Sequence, residues 1–495
     1  MGQNRKTRGI FLAIIVIFLS LQTLWMEAIE NKDSTFLDRR LTKKETNLIQ
    51  IQLNQTFGGS ERDYAVEVIQ TADGGFLIAG STESYGEGDS DMWLVKTDVN
   101  GSVEWNQTYD IQGSDWASDL IQTADGGFLL IGTSSYQNML PVIYSGSVLK
   151  VFVNGTKEWC QTYGYSRTEW YADEHSYIHS AVQTADGGFL FTGETTDYYV
   201  GDSGPNNMDM WLVKTDINGS LEWNKTYGSA DDSASAVIQT ADDGFLIAGT
   251  TVDYHYTEGS AIYPHNGDMW LVKIYTNGSV EWDQAYGGSE HDYAREVIQT
   301  TDGGLLLAGT MNFWTNDSDM WLVKTDANGS MEWNQTYGGL NDESASAVIQ
   351  VADGGFLIAG STESYGAGDK DVWLVKTYAN GTVKWNQTIG GSERDGSSSV
   401  IQTTNGDFLI VGYTESYGAG DYDMWLLKFS ETRDTPTESM TNTLTEEETS
   451  PTNPYSATSE STNLSVLIIG FETPLVLVVF LLGVLTYKRK KKTRI

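Results

Sequence analysis

Three sets of side chains in this sequence could do chemistry. The first is aromatic and imidazole: Trp170, Tyr171, His175, His179, Tyr198, Tyr199, Tyr254, His255, Tyr256 and His265 crowd into three irregular stretches. Flat rings supply contact area and imidazole supplies a titrating hydrogen-bond partner, which together suit a glycan or a protein surface. The second set is four Asp-x-Asp pairs, Asp89/Asp91, Asp317/Asp319, Asp369/Asp371 and Asp421/Asp423. Calcium is the cation such pairs could take, but it wants six to eight oxygens. The plainer use of short acids beside turns is to accept backbone N–H bonds and set a loop. The third set is thirteen Asn-x-Ser/Thr sequons. Asn54, Asn106, Asn224, Asn334, Asn386 and Asn463 are the candidates for glycosylation, because six others fall on Asn-Gly turns that need Asn regardless of any sugar.

Several classes are excluded. A formal charge of −37 opposes nucleic-acid binding, which needs clustered Lys and Arg. One cysteine, Cys160, leaves no internal disulfide and no Cys-rich zinc or redox motif. No nucleophile elbow or phosphate loop occurs, and no cofactor is expected.

The ends of the chain give an address. Arg5, Lys6 and Arg8 precede the apolar run Ile10–Leu21, so residues 1–28 read as a signal peptide or signal anchor. Residues 431–464 are rich in Ser, Thr, Glu, Asn and Pro, bury nothing, and read as a disordered stalk. Residues 465–487 are apolar enough for a transmembrane helix, and residues 488–495 form a basic cytoplasmic tail. The expectation is a single-pass protein of the cell membrane with its body outside. Gly470-Phe471-Glu472 before an apolar run and a basic end resembles the sorting signals of archaeal surface proteins, although Ile469 stands where those usually have Pro.

Residues 48–430 repeat one unit. Its first half is typified by Val68–Gly80 and its second by Asp91–Tyr109. The turn residues Asp73, Asp125, Asp186, Asp242, Asp302, Asp353 and Asn405 recur at spacings of 52, 61, 56, 60, 51 and 52, giving seven copies. Short β-rich runs flank Asp-Gly-Gly in one half and Asn-Gly in the other, so each half is a β-hairpin. Four strands per copy, here a to d, describe an all-β, seven-bladed β-propeller. The last copy lacks strand d and an orphan strand d, Leu48–Phe57, opens the array, so the N-terminal strand should close the ring. Strand c followed by Asp-x-Asn-Gly-x-x-x-Trp resembles the tryptophan repeat of the quinoprotein-like propellers. That resemblance implies architecture rather than a dehydrogenase, since the adjacent Cys pair and the eighth blade are missing.

In such a ring the a–b and c–d turns share one face and the b–c and d–a loops the other. The first face is uniform. The second carries the long insertions of blades 2 to 4, where all the aromatic and imidazole candidates lie. The expected function is therefore binding of a glycan or protein partner through those loops. The alternatives are a polysaccharide hydrolase or lyase with paired carboxylates at the channel mouth, and a purely structural envelope protein.

Overall fold

The structure is a computed structural model. It describes residues 49–431 except 88, 137–142, 165–174, 197–207, 229–230, 254–264, 314 and 316. The chain divides into two units, Met1–Arg433 and Asp434–Ile495, and the described residues all belong to the first. The signal, the stalk beyond Glu431, the apolar segment and the basic tail therefore lie outside the described residues; Glu431, expected to begin the stalk, instead ends a strand paired with Ile49. So do Trp170, Tyr171, Tyr198, Tyr199, Tyr254, His255, Tyr256 and Asn463. Among the described residues no helix is long and apolar enough to cross a membrane.

The described residues form twenty-eight strands in seven antiparallel four-stranded sheets. Blades 1 to 6 span Asp63–Tyr109, Ser114–Tyr163, Ser176–Tyr227, Ser233–Tyr286, Tyr293–Tyr337 and Glu343–Ile389. Blade 7 takes three strands from Asp395–Glu431 and its outer strand from β1, Ile49–Phe57. β1 pairs with the last strand, β28 (Asp423–Glu431), from Ile49↔Glu431 to Phe57↔Met424. The chain is thus a seven-bladed propeller closed by its N-terminal strand.

The repeated residues have local reasons. In the a–b turn of blade 1, Gly74 sits at φ 85° and its N–H reaches Thr71 O at 2.8 Å. Such a φ is open to glycine at little cost. Asp73 Oδ1 accepts from Thr71 Oγ1 at 2.6 Å and from Gly75 N at 3.0 Å. The strand-c lysine then reaches under the turn: Lys96 Nζ lies 3.0 Å from Asp73 and 2.7 Å from Glu104. The other six copies repeat this lysine-to-turn contact, from Lys150–Asp125 to Lys428–Asp407.

Every strand a carries a bulge, between Ala65 and Glu67 in blade 1 and at matching positions in the rest. The bulge turns a carbonyl onto strand b, which is why that strand keeps a glycine opposite. A Cβ on Gly80 would stand 1.8 Å from Tyr64 O.

The core lies between blades. Trp93 packs with Leu409, Val411 and Met424 of blade 7, and Trp211, Trp321, Trp373 and Trp425 repeat this against the preceding blade. Blade 2 has buried Ser147 there, bonded to Ser134 at 2.5 Å. Strand-d tyrosines pin blades 1 to 5 each to the next: Tyr109 OH donates to Gly155 O at 2.6 Å, and Tyr163, Tyr227, Tyr286 and Tyr337 do the same one blade on, whereas Ile389 and Phe57 stand there in blades 6 and 7. The tryptophan stripe is packing, not a stacking surface.

Candidate functional site

The repeated acids are explained by loop geometry. Asp91, Asp371 and Asp423 begin strand c and turn their Oδ2 back to the b–c loop, accepting from Glu87 N, Ala367 N and Ala419 N at 3.0, 2.8 and 2.7 Å. The acids that open strand a cap the d–a crossing in the same way. Asp63 accepts from Gly59 N, Asp292 from Gly288 N, Glu343 from Gly339 N and Asp395 from Gly391 N. Asp89, Asp317, Asp369 and Asp421 are exposed, while Asp91, Asp371 and Asp423 are buried and Asp319 is half-buried. The structure brings each inner acid to the next blade's strand-a acid rather than gathering the Asp-x-Asp pair. A Cβ on Gly390 would meet Asp371 Oδ1 at 1.8 Å and Asp395 Oδ2 at 2.8 Å, and Gly338 stands likewise between Asp319 and Glu343. Where blade 1 meets blade 2, Asp110 replaces that glycine, and oxygens of Asp91, Asp110 and Asp115 fall within 4.8 Å of one another. Burial pushes the Asp115 carboxyl up, against hydrogen bonds from Ser134, Ile111 and Gln112.

On the face of the b–c and d–a loops, the described part of the aromatic sector forms a ladder across blades 2 and 3. Tyr144 lies 6.2 Å from Trp116 and stacks on Tyr177 at 5.5 Å. Tyr177 is parallel to His179 at 6.4 Å, and His175 meets the Tyr144 ring edge-on at 5.2 Å. His179 Nε2 stands 3.8 Å from Glu194 Oε1. Burial, then the neighbouring Tyr144 and Glu194, push the Tyr177 hydroxyl up to about 12. His175 is placed in the d–a crossing as expected. His179 is not; it belongs to strand a of blade 3 (Ser176–Gln183) and lines the channel, because the crossing ends sooner than its irregular sequence suggests. His265 likewise begins strand c of blade 4 (His265–Ile274).

The short loops of blades 1, 6 and 7 use their tyrosines differently. Tyr85, Tyr365 and Tyr417 lie 5.4, 5.4 and 5.7 Å from the strand-c Trp93, Trp373 and Trp425. Their hydroxyls donate to Gly58, Gly338 and Gly390 carbonyls. These are structural pins.

The ladder ends in a cavity of about 630 Å³ on the ring axis, lined by strand a of all seven blades. Three carboxylates converge on it: Glu67 of blade 1, Asp119 of blade 2 and Glu296 of blade 5. Glu67 Oε1 accepts from Val68 N at 2.9 Å and from Ser399 Oγ at 2.6 Å. Asp119 Oδ1 accepts from Leu120 N at 2.6 Å, and its Oδ2 from Ala181 N at 3.0 Å and Ser180 Oγ at 3.2 Å. Burial and the Asp119 charge push Glu67 up to about 8; burial and the charges of both others push Glu296 up to about 8; burial pushes Asp119 up to about 6. Arg295 and Lys370 line the same cavity, with Arg295 lying 5.0 Å over the Tyr293 ring.

Reading the sequence missed these acids. The signal was there, because the residue after the bulge is Glu67, Asp119 and Glu296 in three copies but Ser180, Ala236, Ala347 and Ser399 in the others. Seeing it needs the knowledge of which strand-a residues face the axis.

No protein-family model matches the chain. A curated relative, the regulatory protein FlaEY of Caulobacter vibrioides, is 24% identical over 175 residues, covering 30% of this chain and 18% of its own length. The chain therefore spans less than a fifth of that protein. Similar solved structures include puromycin hydrolase in complex with PGG (11% identity, 73% of this chain and 51% of that one, TM-score 0.44). The Pan2 WD40 domain of Neurospora crassa is similar at 10% identity, 75% and 97% coverage and a TM-score of 0.44. The β-propeller domain of the Trilobed protease from Pyrococcus furiosus is similar at 9% identity, 77% and 99% coverage and a TM-score of 0.41.

Proposed function

We propose that this protein is a binding propeller of the cell surface, held to the membrane by residues 465–487, whose ligand is a glycan laid along the ladder of blades 2 and 3. The observation that carries the reading is that ladder: Trp116, Tyr144, Tyr177, His175 and His179 run together from the variable face to the channel, whereas the tyrosines of the short loops are spent on structure. Sugar rings expose C–H faces that pack on aromatic planes, and Glu194 and the channel hydroxyls can orient the ring's own hydroxyls. The aromatic residues 170, 171, 198, 199, 254 and 256, with His255 and His265, extend the same sector in this reading. The tail's resemblance to archaeal sorting signals makes processing near residue 470 part of it, and the strand-d sequons would carry sugars on the rim.

A glycan-array screen of the full chain tests this. Binding to one glycan class is expected, and Tyr144→Ala or Tyr177→Ala should each weaken it at least tenfold while the melting temperature changes little. Retained binding in both variants would remove the ladder from the site, and capture of a protein partner alone would replace the glycan.

The convergent carboxylates favour one second reading, a glycan hydrolase. A carboxyl kept protonated near neutrality beside an ionised one is the acid–base pair that glycosidic cleavage requires. Released reducing ends that disappear in Glu67→Gln and Asp119→Asn would establish it.

A further inference from the structure

The bulge of every strand a leaves one residue without a ladder partner, and in all seven blades that residue lines the axial cavity. A bulge frees a residue from the regular alternation and re-aims its side chain. The residue is Val66 in blade 1, a serine in blades 2, 4, 6 and 7, and His179 and Arg295 in blades 3 and 5. The serine blades form the same bulge and the same sheet, so the fold does not ask for a guanidinium in blade 5.

In a chain of formal charge −37, Arg295 is an unusual cation. The seven strand-c lysines are each held by a turn acid, and His179 faces Glu194 at 3.8 Å. Among the described residues Arg295 forms no ion pair, and its guanidinium lies 5.0 Å over the Tyr293 ring. The acids of the cavity are turned elsewhere. Glu67, Asp119 and Glu296 stand one residue further along strand a, away from the variable face, and each accepts from the backbone N–H of its own next residue. Tyr293 pairs with Thr310 in the register at which Trp116 pairs with Thr133 and Tyr177 with Glu194, so Arg295 follows the aromatic layer to which the ladder belongs. Lys370 adds a second cation to the lining, at a position that is Ser90, Ser318 and Tyr422 in blades 1, 5 and 7. A guanidinium resting on a ring keeps its in-plane N–H donors for a planar anion, which it takes bidentately. The volume of about 630 Å³ lies within the range of small-molecule sites. Given the ladder as a glycan site, on which this rests, we propose that the glycan is an acidic one and that Arg295 holds its carboxylate or sulfate group in the axial cavity.

Calorimetric titration of the full chain in detergent tests this with three matched pairs of probes. They are tetragalacturonate and its methyl ester, tetramannuronate and its methyl ester, and neocarratetraose sulfate and its desulfated form. At least one acidic probe is expected to bind about tenfold or more tightly than its neutral partner, and the pair that responds tells carboxylate from sulfate. Arg295→Ser, which installs the residue of four other blades, should bring the acidic probe down to the level of the neutral one. Its melting temperature should stay within about 1 °C of the parent's, which shows that the loss is local. Tyr144→Ala should weaken both members of the responding pair by the same factor, because the ladder meets the sugar rings and not the charge. Acidic and neutral members that bind alike, or acidic binding that survives Arg295→Ser, overturn the proposal and leave the ladder in place. Binding lost in Arg295→Ser but unchanged in Tyr144→Ala overturns the ladder, and with it the link between ladder and anion. If none of the six probes binds, the acidic class is overturned; neutral hits on the glycan array would then keep the ladder, and an empty array would end both.

Discussion

Carboxylates in this ring titrate in two opposite ways, according to what faces them. Those at the a–b turns are held down: hydrogen bonds from Thr71, Lys96 and Gly75 hold Asp73 at about 2, and Lys273 and Thr240 hold Asp242 at about 2. Those in the channel are pushed up, Glu67 and Glu296 to about 8 from an ordinary value of 4.5. The two sets act on opposite limbs of the stability curve. Turn acids, depressed when folded, stabilise above about pH 3.8 and lose that contribution as pH falls toward 2. Channel acids, raised when folded, favour the folded state fully below about 4.5, an advantage lost as pH rises through 8. The melting temperature should therefore peak between about pH 4 and 5 and decline by a few degrees toward pH 9. Glu67→Gln with Glu296→Gln should flatten that decline and leave the acid limb alone. A basic limb unchanged by the double substitution would mean the channel acids are already neutralised by another group.

At the scale of strands, legibility follows how local the determinant is. Asp73-Gly74-Gly75 and Asn100-Gly101 specify their hairpins with residues inside the turn, so the four-strand copy was readable without any partner. Closure was readable because a missing strand at one end and a spare one at the other can be counted. The junction acids were only half readable. That Asp371 sets a loop is local, but its meeting with Asp395 of the next blade is a property of the assembled ring. The channel acids were not read at all, since alternation along strand a says which residues share a face, not that the face surrounds an axis. The pinning of Tyr365 and Tyr417 is hidden from the sequence for the same reason; the carbonyls that hold them belong to the preceding d–a crossing. Closure also makes a prediction. β1 buries Ile49 and Phe57 and places Asn54 Oδ1 2.7 Å from Trp425 Nε1. Removing residues 49–57 uncovers the edge of β28 and the blade 7 core, a loss of at least about 3 kcal/mol from the two apolar side chains alone. The melting temperature should drop by about 5 °C or more. Removing residues 432–464 should move it by about 1 °C at most, and equal shifts in the two deletions would show that β1 does not close the ring.

At the scale of the whole ring, where its chain ends emerge decides which face stays open. Ile49 pairs with Glu431, so the chain enters and leaves the described ring side by side, at the end of β28 that corresponds to the c–d turns. The ladder and the wide b–c and d–a loops are on the other face. If residues 432–487 are the proposed tether, the chain departs toward it from the uniform face, away from the ladder. The same uniform face carries the turn sequons Asn100, Asn154, Asn218, Asn277, Asn328 and Asn380. Sugars there would leave the ladder uncovered. If the body is outside the cell, protease added to intact cells should cut in residues 432–464, which offer little to bury, and should spare the interlocked blades. The released fragment should end near Glu431 and bind the same glycan as the parent chain, because every described residue of the ladder and the channel lies within it. Mass spectrometry of the supernatant reads the cut, and the array reads the binding. A fragment that appears only after lysis would put the body inside the cell. A fragment released intact but unable to bind would show that the tether takes part in the site.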